Sequence, residues 1–277
     1  MRRSWEARHE PVPQQPDRAD QIETMNLASI TPLILTWNEE PNLRRCLDGV
    51  GWAERVVVID SGSTDATLAI CAEYTNVTVH VRPFDNHTAQ WNHGIALAET
   101  AWILSLDADY VVSAEFVREV ADLTTASDEV AWYSPFRFLA CGRPLRGSLY
   151  PPRAVLFDRS RCRYVADGHT QLLEIDGTSG HLRTRIDHDD RKPLTRWFDS
   201  QRKYAVLEAD KLLSDSPGGL PDQLRRMIWP AAPAAFLYTL FAKGMILDGW
   251  AGWFYALQRT CAEVMLSLVL LEKRINR

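Results

Sequence analysis

Blocks of apolar and polar residues alternate in a regular order through the first 110 residues of the chain. The strand-like runs cover residues 30–36, 55–59, 77–81 and 102–106, and segments with apolar residues at helical spacing lie between them at 43–47, 68–72 and 89–98. Short β-branched runs that alternate with amphipathic helices are typical of βαβ units, whose strands form a parallel sheet covered on both faces. The pattern therefore predicts an α/β domain with a Rossmann-like, mostly parallel sheet.

After residue 112 the pattern changes. The predicted elements there are a helix at 115–123 and strands at 132–139, 155–158, 171–175 and 184–186. The last two strands flank Asp176 and Gly177, and an Asp-Gly pair between two strands is a strong hairpin signal. We therefore expect one domain, residues 26–215, with a first half at 26–112 and an α+β second half at 113–215.

The chain becomes helical from about residue 194 and strongly apolar near its end. The runs 231–242 and 245–247 are shorter than the roughly 20 apolar residues that a membrane-spanning helix needs. From Trp253 onward, apolar residues recur at helical spacing, and nearby tryptophans and basic residues suit a membrane interface. We therefore expect residues 216–277 to form amphipathic helices that contact a membrane. Packing on the α/β domain, or on a second subunit in a homo-oligomer, is the alternative.

Net charge separates the same two regions. The chain carries −5 overall, but residues 1–220 carry −8 and residues 221–277 carry +3. The acidic body argues against nucleic acid as a partner, whereas the basic, apolar end suits an anionic membrane surface. The five cysteines are scattered without a Cys-x-x-Cys pair, which favours a reducing cytosol over a disulfide framework or a zinc site. Residues 1–25 are polar and proline-rich, so we expect a disordered extension there.

Two carboxylates, Asp107 and Asp109, follow the strand predicted at 102–106. Residues two apart on an extended chain face the same side, so both can face one cation at the carboxyl edge of the sheet, where α/β proteins bind ligands. Mg²⁺ or Mn²⁺ takes one or two protein carboxylates and completes its shell with water and phosphate oxygens. The pair predicts a metal-diphosphate clamp, although an isolated Asp-x-Asp sequence is usually a solvated turn.

Polar residues also follow the first two predicted strands. Thr36, Asn38 and Glu39 come after the first strand, and Asp60 and Ser61 come after the second. An acid at the tip of the second strand can accept hydrogen bonds from a base or a ribose. These residues predict a nucleotide pocket, with helix capping by Asn38 as the simpler alternative.

Four segments carry a resemblance to a known family. They read LTWNEE at 35–40, VVIDSGSTD at 57–65, QWNHG at 90–94 and LDAD at 106–109. In this order and spacing they resemble family 2 glycosyltransferases of the GT-A fold, and they are most similar to the bacterial branch that adds sugars to lipopolysaccharide core or related glycolipids. The resemblance covers roughly residues 30–210.

The resemblance implies an inverting transfer from a nucleotide-sugar donor to a glycolipid or polysaccharide acceptor. It also implies a UDP-linked donor, which is the usual kind in the family. It implies that Thr36, Glu39, Asp60 and Asn92 line the nucleotide pocket, that Asp107 approaches the ribose or the metal, and that Asp109 holds Mn²⁺ or Mg²⁺ on the diphosphate. It also implies a peripheral position at the cytoplasmic, inner face of a bacterial membrane.

Inverting transfer needs a carboxylate that takes the proton of the acceptor hydroxyl. Asp167 is our candidate for this base, and Glu174 is the alternative. Many relatives carry an acidic pair or a His-Glu pair in this region, where this chain has Thr170 and Gln171. His188 either completes the metal shell or is an exposed loop histidine.

Two other functions stay open at this point. A nucleotidyltransferase has a similar sheet and metal site, but it usually carries a glycine-rich, basic phosphate loop near the N-terminus, where this chain has the acidic residues 37–40. The missing acid at Gln171 motivates the second alternative, a catalytically impaired nucleotide-sugar-binding or scaffold protein. Donor binding without turnover would favour that alternative.

Overall fold

The computed structural model describes residues 24–124, 128–148, 150–167, 170–214 and 219–276. The strands are β1 (Ile30–Thr36), β2 (Val56–Asp60), β3 (Val77–Val81), β4 (Trp102–Asp107), β5 (Tyr110–Val111), β6 (Glu129–Ser134), β7 (Phe136–Ala140), β8 (Arg143–Pro144), β9 (Arg153–Asp158), β10 (Cys162–Asp167), β11 (Thr170–Ile175), β12 (Thr178–His181) and β13 (Ile186–His188). The helices are α1 (Leu43–Gly49), α2 (Thr67–Cys71), α3 (His87–Leu97), α4 (Ala114–Ala121), α5 (Leu194–Leu213), α6 (Leu220–Arg226), α7 (Ala231–Leu237) and α8 (Trp250–Ile275).

A seven-stranded sheet in the order β12-β6-β9-β4-β1-β2-β3 forms the centre of the molecule. Strands β1 to β4 are mutually parallel, and β9 runs antiparallel between β4 and β6. A smaller sheet, β5-β13-β7-β8, and the antiparallel hairpin β10-β11 complete the described part of the second half. The predicted α/β class with a mostly parallel sheet is confirmed.

The sheet is apolar on both faces because helices cover both. Leu33 and Ile34 of β1 are fully buried on opposite sides and belong to separate core clusters. Helix α3 lies so close to β1 that a Cβ at Gly94 would overlap the Leu33 side chain. The side chains of Asn86 and Ser113 accept hydrogen bonds from the first turns of α3 and α4, as N-caps do. The packing therefore fixes the carboxyl ends of the central strands at one edge.

The second half differs from the prediction in two places. The strand expected at 132–139 is two strands, because Pro135 has no N–H for the ladder; β6 stays in the large sheet and β7 enters the small one. The hairpin expected across Asp176 and Gly177 is wrong. Strand β11 pairs with β10, which is not among the predicted strands, whereas β12 pairs in parallel with β6. Residues 184–186 are not free for a hairpin because Ile186 pairs with Phe136.

The fold begins before residue 26. The backbone N–H of Met25 donates to the carbonyl of Leu123, and the Met25 side chain is buried in the main core. Thr24 forms a bridge with Thr124. The predicted extension therefore ends at least two residues earlier than expected, and residues 1–23 lie outside the described part.

Helices α5 to α8, residues 194–276, form a helical unit. Apolar residues of α5 and α8, including Ala209, Leu266 and Leu270, share a core cluster of their own. Helix α5, which the sequence analysis assigned to the second half of the α/β domain, therefore packs with the C-terminal helix. Met245 and Ala251 join the main core and fasten the unit to the sheet domain.

Helix α8 is the most apolar long helix of the described chain. Its 26 residues are, by length and composition, enough to cross a membrane, a feature that the interrupted runs before it did not suggest. One side of the helix, with Ala256, Glu263 and Leu266, is buried against the protein. The other side leaves a stripe exposed: Trp250, Trp253, Leu257, Val264, Leu268 and Ile275. The helix is therefore half packed and half uncovered, as the amphipathic pattern predicted.

Candidate active site

The carboxyl ends of β1, β2 and β4 meet at one edge of the large sheet. In the strand registers, Thr36 lies beside Asp60, and Leu35 lies beside Asp107. The structure thus brings together the polar residues that the sequence placed after separate strands. This edge is where open parallel sheets bind ligands.

Asp60 has a fully occupied carboxylate. One oxygen accepts the backbone N–H groups of Gly62 and Ser63 at 2.9 and 2.8 Å, and the other accepts the hydroxyls of Thr36 and Ser63 at 2.8 and 2.5 Å. Asp60 is completely buried, and Thr36 almost so. The Ser61 hydroxyl accepts a hydrogen bond from Gln90. These contacts hold the loop after β2, and a nucleotide contact for Thr36, Asp60 or Ser61 stays a prediction.

Asn38 connects the loops after β1 and β2. Its backbone is left-handed, with φ of 53°, a conformation that asparagine tolerates better than most residues. The side-chain oxygen accepts the N–H of Thr64 at 2.7 Å, and the backbone N–H donates to the Ser63 hydroxyl at 2.7 Å. Asn38 therefore links two loops and caps neither α1 nor α2, so the capping alternative is wrong. Its role toward a nucleotide stays a prediction.

Glu39 and Lys192 form an ion pair that is mostly screened from solvent. One carboxylate oxygen accepts from Lys192 Nζ at 2.8 Å, and the other accepts from the Asn42 amide at 2.9 Å. Burial raises the pKa of Glu39 more than Lys192 lowers it. Burial alone would lower the pKa of Lys192, but the charge of Glu39 and those of Asp109 and Asp190 raise it instead. The ammonium group therefore stays charged at the edge of the sheet.

The two carboxylate oxygens of Asp109 differ in their contacts. Oδ2 lies 3.2 Å from His188 Nε2, whereas Oδ1 is buried and has no hydrogen-bond partner among the described residues. Burial by itself would raise the pKa of Asp109, but the charge and hydrogen bond of His188, with the charge of Lys192, lower it. For His188, burial opposes the charged form, and the Asp109 carboxylate outweighs it and raises the pKa. The structure thus brings together the two predicted ligands Asp109 and His188.

The small sheet holds His188 in this position. Strand β13 pairs with β5, so that His188 lies opposite Tyr110, and its ring packs between those of Tyr110 and Phe138 at centroid distances of 5.2 and 4.6 Å. The backbone N–H of Asp189 donates to the carbonyl of Asp109 at 3.0 Å. His188 is therefore a packed strand residue, and the exposed-loop alternative is wrong.

The residues at this edge fit a hard divalent cation. A buried carboxylate oxygen without a partner is costly unless a ligand completes it. Asp109 Oδ1 is such an atom, and the neighbouring imidazole of His188 is a second donor type that Mn²⁺ accepts. Among the described residues, no group of three His, Cys, Asp or Glu side chains is placed to hold a metal by itself. A cation bound here would therefore need oxygens from a ligand such as a diphosphate.

A cavity of about 210 Å³ opens beside Asp107, on the side of the hairpin β10-β11. Its walls are largely aromatic and aliphatic, with Trp91, Tyr133, Tyr164 and Leu173 among them. Burial and the nearby charge of Asp107 raise the pKa of Tyr110, which also lines the cavity, well above its usual value. Asp107 therefore lies between this cavity and the ion pairs Glu39–Lys192 and Asp109–His188 at the sheet edge.

Asn92 has a bridging role. Its amide nitrogen donates to the carbonyl of Tyr164 at 2.8 Å, and its amide oxygen accepts the N–H of Tyr164 at 3.0 Å. Both polar groups of the side chain thus tie α3 to β10. The structure assigns Asn92 to positioning the wall of the cavity, and a direct contact with a nucleotide stays a prediction.

The structure describes the side chain of Glu174 but not that of Asp167, the other candidate for the base. Asp167 is the last residue of β10, and its side chain lies outside the described part, so its role stays a prediction. Glu174 pairs with Arg163 at 2.6 Å on the exposed face of the hairpin and does not line the cavity. The structure therefore does not bring Glu174 to the site. Gln171 does line the cavity.

Lys192 and the partners of Trp37 did not follow from the sequence. Lys192 reaches Glu39 across 153 positions of sequence. The Arg196 guanidinium lies 4.8 Å from the centroid of the Trp37 ring and donates to the carbonyls of Trp37 and Asn38. The sequence shows a cluster of charged residues around His188, but it does not indicate which of them pair with which partners.

The chain belongs to Glycosyl transferase family 2, because the family's sequence model matches residues 33–186, more than half of the chain. It is therefore a glycosyltransferase, which excludes the nucleotidyltransferase alternative. It is 25% identical over 242 residues to the lipopolysaccharide core biosynthesis glycosyltransferase LpsC of Rhizobium meliloti (strain 1021), covering 82% of this chain and 86% of LpsC. It is 29% identical over 135 residues to the O-antigen chain rhamnosyltransferase RfbN of Salmonella typhimurium, covering 46% of this chain and 40% of RfbN.

Solved structures give more distant likenesses. Staphylococcus aureus TarS in complex with UDP-GlcNAc has a TM-score of 0.47 at 13% identity and covers 90% of this chain and 92% of TarS. Glucosyl-3-phosphoglycerate synthase from Mycobacterium tuberculosis, in complex with Mn²⁺, UDP and glucosyl-3-phosphoglycerate, has a TM-score of 0.44 at 15% identity and covers 65% of this chain and 78% of the other.

Proposed function

We propose that this glycosyltransferase moves a sugar, with inversion, from a UDP-linked donor to a glycolipid or polysaccharide acceptor of the lipopolysaccharide class, and that it depends on a divalent metal. The observation that carries the proposal is the buried, unpartnered Oδ1 of Asp109 beside His188, at the edge where β1, β2 and β4 end. The likeness to LpsC over most of both chains supports the acceptor class.

In this proposal Asp109, with Asp107 and His188, holds Mn²⁺ or Mg²⁺ at the donor's diphosphate. When bound, the cation neutralises the negative charge that grows on the leaving diphosphate. The ammonium group of Lys192, held by Glu39, contributes a second positive charge near the same edge. The loops organised by Asn38 and Asp60 receive the nucleoside.

The reacting sugar and the acceptor meet at the cavity beside Asp107. Its aromatic and aliphatic walls exclude water, which would otherwise compete with the acceptor hydroxyl. We assign the general base to Asp167, which takes the proton of that hydroxyl as the oxygen attacks C1 and the bond from C1 to the diphosphate oxygen breaks. The position of Asp167 at the end of β10, a strand that lines the cavity through Tyr164, supports this assignment.

A peripheral position on the cytoplasmic face of a membrane fits the same function. The exposed stripe of α8 would rest in the membrane interface, with its tryptophans at the level of the lipid headgroups. Glu263, on the opposite side of α8, pairs with Arg225 of α6 at 2.7 Å, and Arg225 also pairs with Glu208 of α5. A helix tied to the protein by these charges is better suited to lie on a membrane than to cross it.

The test is release of nucleoside diphosphate from a panel of nucleotide sugars by the full-length protein, with Mn²⁺, Mg²⁺ or EDTA. We expect slow, metal-dependent hydrolysis of one donor, reduced about 10²- to 10³-fold in Asp109→Asn because a metal ligand is lost. Asp176→Asn, which changes an exposed carboxylate in the turn after β11, is the matched control and is expected to keep full activity.

Transfer to lipopolysaccharide then separates the two base candidates. Asp167→Asn is expected to lose transfer but keep metal-dependent donor hydrolysis, since water can react without that base, whereas Glu174→Gln keeps both. Binding of a donor without turnover, even with lipopolysaccharide present, would contradict the proposal. It would favour the catalytically impaired binding protein that Gln171 in the cavity suggests.

A further inference from the structure

The cavity beside Asp107 contains a cation that the mechanism above does not use. Arg153, the first residue of β9, is one of the cavity's lining residues. Strand β9 runs antiparallel beside β4, so its beginning lies next to the end of β4, where Asp107 is. A guanidinium group therefore faces the same space as the first carboxylate of the Asp-x-Asp pair.

Arg153 has few partners among the described residues. Its only hydrogen bond there runs from Nη1 to the Tyr110 hydroxyl at 3.3 Å, and no carboxylate of the described chain lies within 4 Å of its nitrogens. By contrast, Arg137 of β7, Arg161 in the turn before β10 and Arg163 of β10 each pair with a carboxylate. Since a guanidinium group has five N–H donors in a planar fork, most of its hydrogen-bonding capacity is left for a ligand.

The other polar groups of the cavity are less available. The Tyr164 hydroxyl lies 3.1 Å from the Ser105 hydroxyl, which itself donates to the carbonyl of Val155. The remaining walls are mostly aromatic or aliphatic, and Asp107, the one carboxylate among the described lining residues, lies too far from the guanidinium nitrogens to form an ion pair. A ligand that fills this cavity would therefore be favoured if it carried an anionic group that the guanidinium fork can bind.

The anionic group belongs to the acceptor rather than to the donor's diphosphate. Asp109, His188 and Glu39, which we assign to the diphosphate side, do not line the cavity. Most of its lining residues come instead from the second half of the domain, including Tyr133, Tyr164 and Leu173. Asp107, at the boundary between the two regions, is where the transferred carbon would lie.

We propose that Arg153 binds a carboxylate or phosphate substituent of the acceptor sugar and so selects acidic acceptors. This inference rests on the proposed function, and it specifies the acceptor as an acidic or phosphorylated sugar. Carboxylate and phosphate are treated as one class because the guanidinium fork binds both in two-point contacts.

The test compares native and neutralised acceptors. Lipopolysaccharide from a core-deficient bacterium is used as isolated, after removal of phosphate with hydrofluoric acid, and after reduction of its carboxylates with carbodiimide and borohydride. For wild type, we expect kcat/KM to fall about tenfold or more with one of the neutralised acceptors, because the guanidinium group loses its anionic partner. That acceptor also identifies the anion as phosphate or carboxylate.

Arg153→Gln is expected to lower kcat/KM for the native acceptor to the value for the neutralised one, without further loss on the neutralised one. Arg153→Lys is expected to keep part of the preference for the native acceptor, because lysine carries the positive charge but lacks the planar pair of N–H donors. Arg163→Gln, which removes an exposed arginine from β10, is the matched control and should keep the wild-type preference.

Three results would overturn the inference. Equal losses on native and neutralised acceptors in Arg153→Gln would indicate a general structural role. A raised KM for the donor, measured by hydrolysis without acceptor, would place the anion on the donor. Equal wild-type activity on all acceptors would show that no anion is recognised. Failure of the wild type to hydrolyse any donor is a different outcome, because it overturns the proposed function itself and this inference with it.

Discussion

The sheet domain and the helical unit arrange their charged and apolar side chains in opposite ways. In the sheet domain the interior is aliphatic, and the carboxylates of Asp107 and Asp109 lie at one edge. In the helical unit, Glu263 is buried with its arginine partner, whereas Leu257 and Leu268 are exposed. The sheet domain therefore presents carboxylates at the edge of its sheet, which suits a polar diphosphate, whereas the helical unit exposes apolar side chains, which suits an apolar surface.

The exposed stripe of α8 provides the largest expected effect. Leu257→Glu combined with Leu268→Glu should weaken binding to phosphatidylglycerol vesicles about 100-fold, because burial of a leucine side chain contributes about 1.5–3 kcal/mol. Binding is measured by vesicle sedimentation, with phosphatidylcholine vesicles as the test of charge dependence. Val81→Glu with Phe84→Glu, two exposed apolar residues of the sheet domain, is the control.

A second outcome would change the partner. If wild type ignores vesicles but is a dimer in analytical ultracentrifugation, and the double variant is a monomer, the stripe is a subunit interface. The contrast between the two regions would then still hold, but the apolar surface would face a second copy of the chain.

The buried charges of the helical unit come next in size. Glu263→Ala should lower the free energy of unfolding by about 3 kcal/mol, since it leaves the Arg225 guanidinium partly buried without its main partner. Replacing both residues by methionine should recover most of that loss. Denaturant unfolding measures both effects. A loss below about 1 kcal/mol in Glu263→Ala would mean that solvent screens this pair as it does a surface ion pair.

Much of the sheet domain could be predicted because its signals are local. Strands β1 to β4 and the helices between them follow from periods of two and 3.6 residues within short windows. The second half was harder, because Pro135 divides one apolar run between two sheets and β12 leaves its neighbour to pair with β6. Pairing choices of this kind depend on distant strands, which a local pattern does not contain.

The site shows the same division. The sequence predicted which polar residues follow the strands. For His188 it left two alternatives, and the structure has the one that puts the imidazole near Asp109. The sequence did not predict that both oxygens of Asp60 accept hydrogen bonds whereas Oδ1 of Asp109 accepts none from the described residues. The partners of each carboxylate come from different segments of the chain. Arg153 stood out no more than other arginines, since an unpaired guanidinium group is visible only when its surroundings are known.

Asp60→Asn tests the saturated carboxylate. An amide at this position replaces one acceptor oxygen by a donor, so either two backbone N–H groups or two hydroxyls lose their acceptor. We expect a loss of about 2 kcal/mol in the free energy of unfolding, because buried donors without partners are costly. Denaturant unfolding measures it, and an unchanged midpoint would show that the loop after β2 does not depend on these hydrogen bonds.

Asp109→Asn, the same change at the end of β4, should lower the free energy of unfolding at neutral pH by no more than about 2 kcal/mol. The lowered pKa of Asp109 means that its ionised form stabilises the fold above the pKa of the unfolded chain, and asparagine lacks that charge. The asparagine oxygen can still accept from His188, and Oδ1 has no hydrogen bond to lose among the described residues, which limits the loss. A ligand separates the metal site from its surroundings. Mn²⁺ with UDP should raise the melting temperature of wild type and of the control Asp176→Asn, because a ligand stabilises the state that binds it, but not that of Asp109→Asn. If Asp109→Asn were stabilised as strongly as wild type, the unpartnered oxygen would not be a metal ligand, and the contrast between the two strand ends would lose its functional meaning.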